Sequence, residues 1–270
     1  MADVEAPKAQ IANGGVKRDY RGNQKVVELP RNAYTSMFEG FRDELDKHHD
    51  RRMKIQNVSR DVTGLAKKMI FTLQRVRTLA KPLQPRIQAE IEQRYAEIGT
   101  LLKTIEDDVK GMNRHRYNLM CLEELVEAVT FMHYLTTQTL MTPEQTQQAI
   151  PADVILTASD YVYGVFDLTG EMMRSATSNT ALNGAIPSGP SGRTIQADLQ
   201  DVSSMLQVNH PIGRPFSYGK KMDVMVEQVR KVERLGYGVR IRGNERPKGW
   251  MPDLNEDRGE DGGGGGGHDD

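Results

Sequence analysis

The stretch CLEELVEAVTFMHYL, residues 121–135, decides how the rest of the chain is read. At about 100° per residue it presents apolar side chains on every side. Leu122, Val126 and Val129 form one face, Leu125, Ala128, Met132 and Leu135 continue it, and Phe131 lies between Glu124 and Glu127. An α-helix that is apolar all round is a buried one. Glu124 and Glu127 are three residues apart, roughly 60° on the helix, so both leave it in the same direction. Two carboxylates aimed together from a buried helix repel each other and need a cation, a proton or a basic partner.

A second stretch repeats the pattern. In YVYGVFDLTGEMMR, residues 161–174, Tyr161, Val165, Leu168 and Met172 make an apolar stripe, and Asp167 and Glu171 share the opposite edge four residues apart, with Arg174 beside them. Gly164 and Gly170 flank the acids and leave room for a close helix, a metal or a substrate backbone. One such acid pair on a helix is ordinarily a solvated face or an ion pair. Two pairs embedded in apolar helices also admit a metal, and hard oxygen ligands suit Mg²⁺ or Mn²⁺. Beside a basic surface, the chemistry to match is metal-assisted phosphodiester cleavage.

Outward from these two stretches the chain reads as helices throughout. Apolar positions Val58, Val62, Leu65, Met69, Val76 and Leu79 give a helical spacing over 32–79, with Asn32 as a candidate cap and Pro82 and Pro85 ending the segment. Further helices are expected at 86–110, from Asn113 to Leu140, from Pro143 with Thr142 as cap, at 159–181, 194–208 and 217–241. NGAIPSGPSGR, 183–193, is a loop, and the run 236–243 is the one β-like stretch, short enough to be the end of the last helix. The expected fold is all-α: one helical domain over 31–250, with tails at 1–30 and 251–270 too polar to order themselves.

Charge is unevenly spread. The chain of 270 residues is net −1, but residues 253–270 carry seven acids against one Arg. Residues 51–86 carry ten Lys or Arg against one acid, and 214–248 carry ten against four, which points to a polyanion partner. Arg60, Lys67, Lys68 and Arg75 fall along one side of the first long helix. Acids are nearly absent from that segment, so pairing within the helix does not explain them, and phosphate contact is expected. Aromatics are 6% of the chain and not clustered with these cations, so base stacking has little support.

The remaining signals are mostly exclusions. The single Cys121 forbids an internal disulfide and fits a reducing cytoplasmic or nuclear setting. No apolar run reaches the length of a membrane span. Cys121 and His133 stand twelve residues apart on one helix, too far to act as nucleophile and base, and the His49-Asp50 doublet has the look of a solvated face. No Glu-x-x-His pair of the di-iron bundles and no phosphate-binding Gly loop occurs.

Taken together, ELVEAVTFMHYL at 124–135, DLTGEMMR at 167–174 and KVERLGYGVRIRGNERPK at 231–248, with FEGFRDELDKHHD at 38–50 and SRDVT at 59–63, resemble the translin-associated factor X branch of the translin family. That resemblance covers roughly 32–250. It implies a seven-helix bundle that joins translin in a closed hetero-oligomer, and an RNA endonuclease acting on passenger-strand or tRNA-processing fragments. It also implies that Glu127 and Glu171 are Mg²⁺ ligands and that Glu124 and Asp167 complete the acidic centre. Leu125 departs from the family, where an aromatic is common, as do the tails and the 183–193 loop. A non-catalytic subunit that binds RNA or single-stranded DNA, like translin itself, is the alternative; four carboxylates facing a polyanion weigh against it.

Overall fold

A computed structural model describes residues 32–208 and 216–242. The expected tails and the end of the 231–248 block lie outside the described residues. The chain divides into one unit of residues 1–50 and a second from Arg51 onward. Eight α-helices are described: α1 (Thr35–Leu73), α2 (Pro85–Lys103), α3 (Asn113–Arg116), α4 (Cys121–Thr137), α5 (Pro143–Gln148), α6 (Ala158–Asn183), α7 (Ile195–Val208) and α8 (Phe216–Arg242). Setting aside α3, a single turn, seven remain, and the all-α expectation holds. No strand occurs among the described residues; one isolated bridge joins Ser188 and Thr194 across the 183–193 loop. The β-like run continues as α8 through Arg242.

Several helix ends are set by side chains the sequence displays. Thr142 and Gln145 form a reciprocal capping box on α5 with Pro143 at the first position, and Thr157 and Asp160 do the same for α6. Gly184 ends α6 in the left-handed conformation. Asn32 stands three residues before the first residue of α1: its Oδ1 accepts from the Tyr34 backbone N–H at 2.9 Å, an Asx turn leading into the helix rather than the cap itself.

Three boundaries differ from the sequence reading. α1 stops at Leu73, well before Pro82. Val76 N–H turns back to the Leu73 carbonyl, and Ala80 N–H donates to the Leu135 carbonyl at the end of α4. Val76 and Leu79 are buried as expected, but from a non-helical segment. The helix expected over 86–110 ends at Lys103 and gives way to a 3₁₀ turn at Asp107–Val109. The one expected from Asn113 to Leu140 breaks between α3 and α4. At that break Arg114 is buried: it donates to the Ile155 carbonyl at 2.7 Å and pairs with Asp160 of the α6 capping box. That tertiary ion pair holds the break open.

The core centres on α4, whose buried residues include Cys121, Leu122, Leu125, Val126, Ala128, Val129, Phe131 and Leu135, as an all-round apolar helix requires. α4 packs on α6, which in turn packs on α7 and α8. Gly164 sets how near α4 and α6 come. A methyl there would lie 2.5 Å from Val126 Cγ1 and 2.9 Å from the Glu123 carbonyl, closer than van der Waals contact allows.

Candidate functional site

The α4–α6 seam gathers the four acids singled out above. Glu124 and Glu127 come from one side, Asp167 and Glu171 from the other. Glu127 is 8% exposed and Glu171 6%. Their nearness is felt at Glu127, whose carboxyl is pushed up to about 8. Burial is the main cause; the charges of Asp167, Glu124 and Glu171 add to it, and Lys221 partly opposes them.

The other acids of the seam have partners. Lys221, on α8, donates to both oxygens of Asp167 at 2.6 and 2.7 Å and lies 3.9 Å from Glu123. Gln74 Nε2 donates to Glu171 Oε2 at 2.7 Å, and Arg174 pairs with Glu171 at 3.3 Å. Lys67 pairs with Glu124 at 3.3 Å. Among the described residues no hydrogen bond or ion pair reaches the Glu127 side chain. Five carboxylates, counting Glu123, thus face three cations, and the most buried environment of the α4 acids holds the one without a partner. Glu123 is itself raised, first by burial and then by Asp167, Asp160 and Glu124, against the opposing pull of Lys221.

Donor type and surplus negative charge fit a small divalent cation. Among the described residues, however, no three His, Cys, Asp or Glu side chains are gathered into a metal-holding group. Glu171 and Asp167 are turned to Gln74, Arg174 and Lys221, and would have to turn from them to bind an ion. Sequence reasoning missed Glu123, Lys221 and Gln74. Glu123 stands next to Glu124 in plain view, but nothing local links residue 221 to residue 167 or residue 74 to residue 171.

The four candidate RNA contacts are dispersed differently from the expectation. Arg60, Lys67 and Lys68 are exposed on α1, whereas Arg75 lies in the turn beyond its end. Two of the four are already paired: Lys67 with Glu124, and Arg75 with Glu90 of α2 at 3.1 Å. The shortage of acids within 51–86 leaves pairing across helices untouched, which is why counting along the segment overstated how open these cations are. Cys121 is buried and its thiol is pushed up to about 11 by burial, in keeping with a packing role.

The sequence profile of the Translin family matches residues 50–243. The chain is 28% identical to the Translin-associated protein X of Rattus norvegicus over 244 residues, 80% of this chain and 82% of that protein. It is 28% identical to the Translin-associated protein X homolog of Schizosaccharomyces pombe over 216 residues, 76% of this chain and 87% of that one. The matched region holds α2 to α8, and with them the α4–α6 seam and its acids, so the fold and the carboxylate pattern lead to one conclusion: the chain belongs to the Translin family.

Proposed function

We propose that this chain is the acid-bearing subunit of a Mg²⁺-dependent endoribonuclease that works with a translin-like partner on single-stranded or small RNA, such as passenger-strand or tRNA-processing fragments. The observation that carries the reading is Glu127, a buried carboxylate with no partner among the described residues and three acids around it. Such a group lacks a positive charge. Glu127 and Glu171 would hold the ion, and Mn²⁺ would serve in its place. When bound, the ion supplies charge neutralisation at the scissile phosphate and lowers the pKa of a water. Glu127 would give up its proton on taking the ion. Asp167 or Glu124 orients the attacking water and takes its proton, with Lys221 keeping Asp167 in place through both oxygens. Arg60, Lys67, Lys68 and Arg75 hold the RNA backbone, so Arg60→Glu with Lys68→Glu should weaken binding to all sequences and reduce its salt dependence.

A partner is supported by the names of the relatives and by α1. Met37, Phe38, Phe41 and Leu45 are 48–68% exposed at helical spacing within the first unit, an apolar stripe that calls for a cover. A closed hetero-oligomer in a reducing cytoplasmic and nuclear setting is part of the proposal. The non-catalytic reading has one observation in its favour: Asp167 and Glu171 are already satisfied by Lys221, Gln74 and Arg174.

Cleavage of a single-stranded RNA by the assembled protein, wild type against Glu127→Gln and Glu171→Gln, separates the two. Cleavage in Mg²⁺ lost in both variants with RNA binding retained is the expected result. Full cleavage by either variant sinks the site. RNA binding without cleavage by the wild type in Mg²⁺ and in Mn²⁺ would make this a binding subunit.

A further inference from the structure

Beside the acid seam runs a cleft that none of the candidate acids lines. One lobe, of about 250 Å³, is lined by Phe71, Gln74, Arg75, Arg77 and Arg174 among others. A second lobe, of about 470 Å³, is walled by Arg77, Lys81 and the 183–190 part of the Gly/Pro/Ser loop. Arg77 belongs to both lobes. Neither is lined by an Asp or Glu, so four cations face the space with no acid in its walls. Arg75 is partly committed to Glu90 and Arg174 to Glu171, but among the described residues no ion pair or hydrogen bond ties down Arg77.

Two contacts connect this cleft to the acids. Gln74, in its wall, donates to Glu171, and Arg174, also in its wall, pairs with the other oxygen of the same carboxylate. The cleft therefore begins where the acid seam ends. At its edge Phe71 is 70% exposed on the last turn of α1. An aromatic ring that large left open to water beside three arginines has the make-up of a single-strand site, in which cations hold phosphates and a ring stacks on a base. Arg75 and Arg77 follow Phe71 closely in sequence, and folding adds Arg174 to the same lobe from about a hundred residues away in the chain.

We propose that this cleft is the single-stranded RNA subsite adjoining the point of cleavage, with Phe71 stacking one base and Arg77 and Arg174 holding the flanking phosphates. The proposal rests on the reading of Glu127 and Glu171 as the cutting centre. Unpaired bases are required for Phe71 to act, so the subsite selects single strands over duplex.

The test is fluorescence anisotropy of a labelled oligouridylate with the assembled full-length protein carrying Glu127→Gln, in EDTA, so that neither a metal nor cleavage enters. Phe71→Ala should weaken binding at least fivefold, and Phe71→Trp should restore it. An abasic strand of equal length should bind Phe71→Ala and its parent alike. Arg77→Glu should weaken both strands about tenfold and lower the log–log salt slope by about one. Phe71 and Arg77 are exposed, so these variants fold. Affinity unchanged by Phe71→Ala and by Arg77→Glu overturns the subsite, and equal losses on normal and abasic strands for Phe71→Ala overturn the stacking. If instead both variants weaken binding as expected while Glu127→Gln in the wild-type background still cleaves, the subsite stands and the acid centre falls.

Discussion

The α4–α6 seam and the segment from Gln74 to Gln84 both border the same acid, Glu171, and were read from sequence with very different success. The seam is a helix pair whose residues declare their burial. Residues 121–135 are apolar on every side, and their two acids stand out against that background. The 74–84 segment carries Val76 and Leu79 at a spacing that a helix and a folded-back loop both bury. What separates the two outcomes is a hydrogen bond from Ala80 to Leu135, the product of tertiary packing. Periodicity is decisive where a whole surface is apolar and weak where two residues carry it.

The largest effect expected lies at the α3–α4 break leading into the seam, where Arg114 of α3 is tied to Asp160 of α6. Arg114→Ala leaves Asp160 buried without its charge partner and takes a donor from the Ile155 carbonyl. It should cost about 3–5 kcal/mol in urea unfolding. A loss below about 1 kcal/mol would show that the break does not depend on this pair.

Next comes the pH dependence of the seam itself. Glu127 sits in the fold with a value near 8, above that of an unfolded chain, because of burial and of Asp167, Glu124 and Glu171, with Lys221 opposing. A raised carboxyl stabilises the fold fully below its unfolded value, about 4.3, and that stability is lost as pH rises through about 8. In EDTA, stability should therefore fall by a few kcal/mol, in order of magnitude, between pH 5 and pH 8.5. Glu127→Gln should flatten that fall and be the more stable protein at pH 8.5. Parallel profiles for the two would contradict the burial of a protonated Glu127.

A smaller loss is expected where the seam is tightest. Gly164→Ala places a methyl against Val126 and the Glu123 carbonyl, and should cost about 1–3 kcal/mol through overpacking. Thermal unfolding indistinguishable from wild type would mean that α4 and α6 can part at no cost. The smallest effect belongs to the other region. Ala80 holds φ of 51°, which a side chain disfavours. In Ala80→Gly, relief of that strain and the added freedom of the unfolded chain nearly offset each other, so stability should stay within about 1 kcal/mol. A larger loss would mean the Ala80 methyl packs in a way its backbone does not reveal.

These two regions also mark what could be read in advance. The helical class, the Thr142 cap, the acid-bearing helices and the 183–193 loop follow from local chemistry: apolar spacing, Thr before Pro, and a run rich in Gly, Pro and Ser. Glu124, Glu127, Asp167 and Glu171 were identifiable because carboxylates in apolar helices are rare. Arg174, one turn on in α6, was in view beside Glu171, but the other partners were not: Lys221 reaches the seam from α8 and Gln74 from beyond α1, and only packing brings those two there. The same holds for Lys67 and Arg75, which look open when charges are counted along the chain and are paired when helices lie side by side.

Calorimetric titration of the full-length protein with Mn²⁺ tests most directly whether Glu127, without a partner among the described residues and raised to about 8, takes a cation. Run at pH 7 in buffers of different ionisation enthalpy, it reads both affinity and protons released. Since Glu127 lies mostly on the protonated side at pH 7, binding should release close to one proton, fewer at pH 9, and binding should be lost in Glu127→Gln. Mn²⁺ binding of equal strength in Glu127→Gln, or none in the wild type, would contradict the claim that this seam holds a metal.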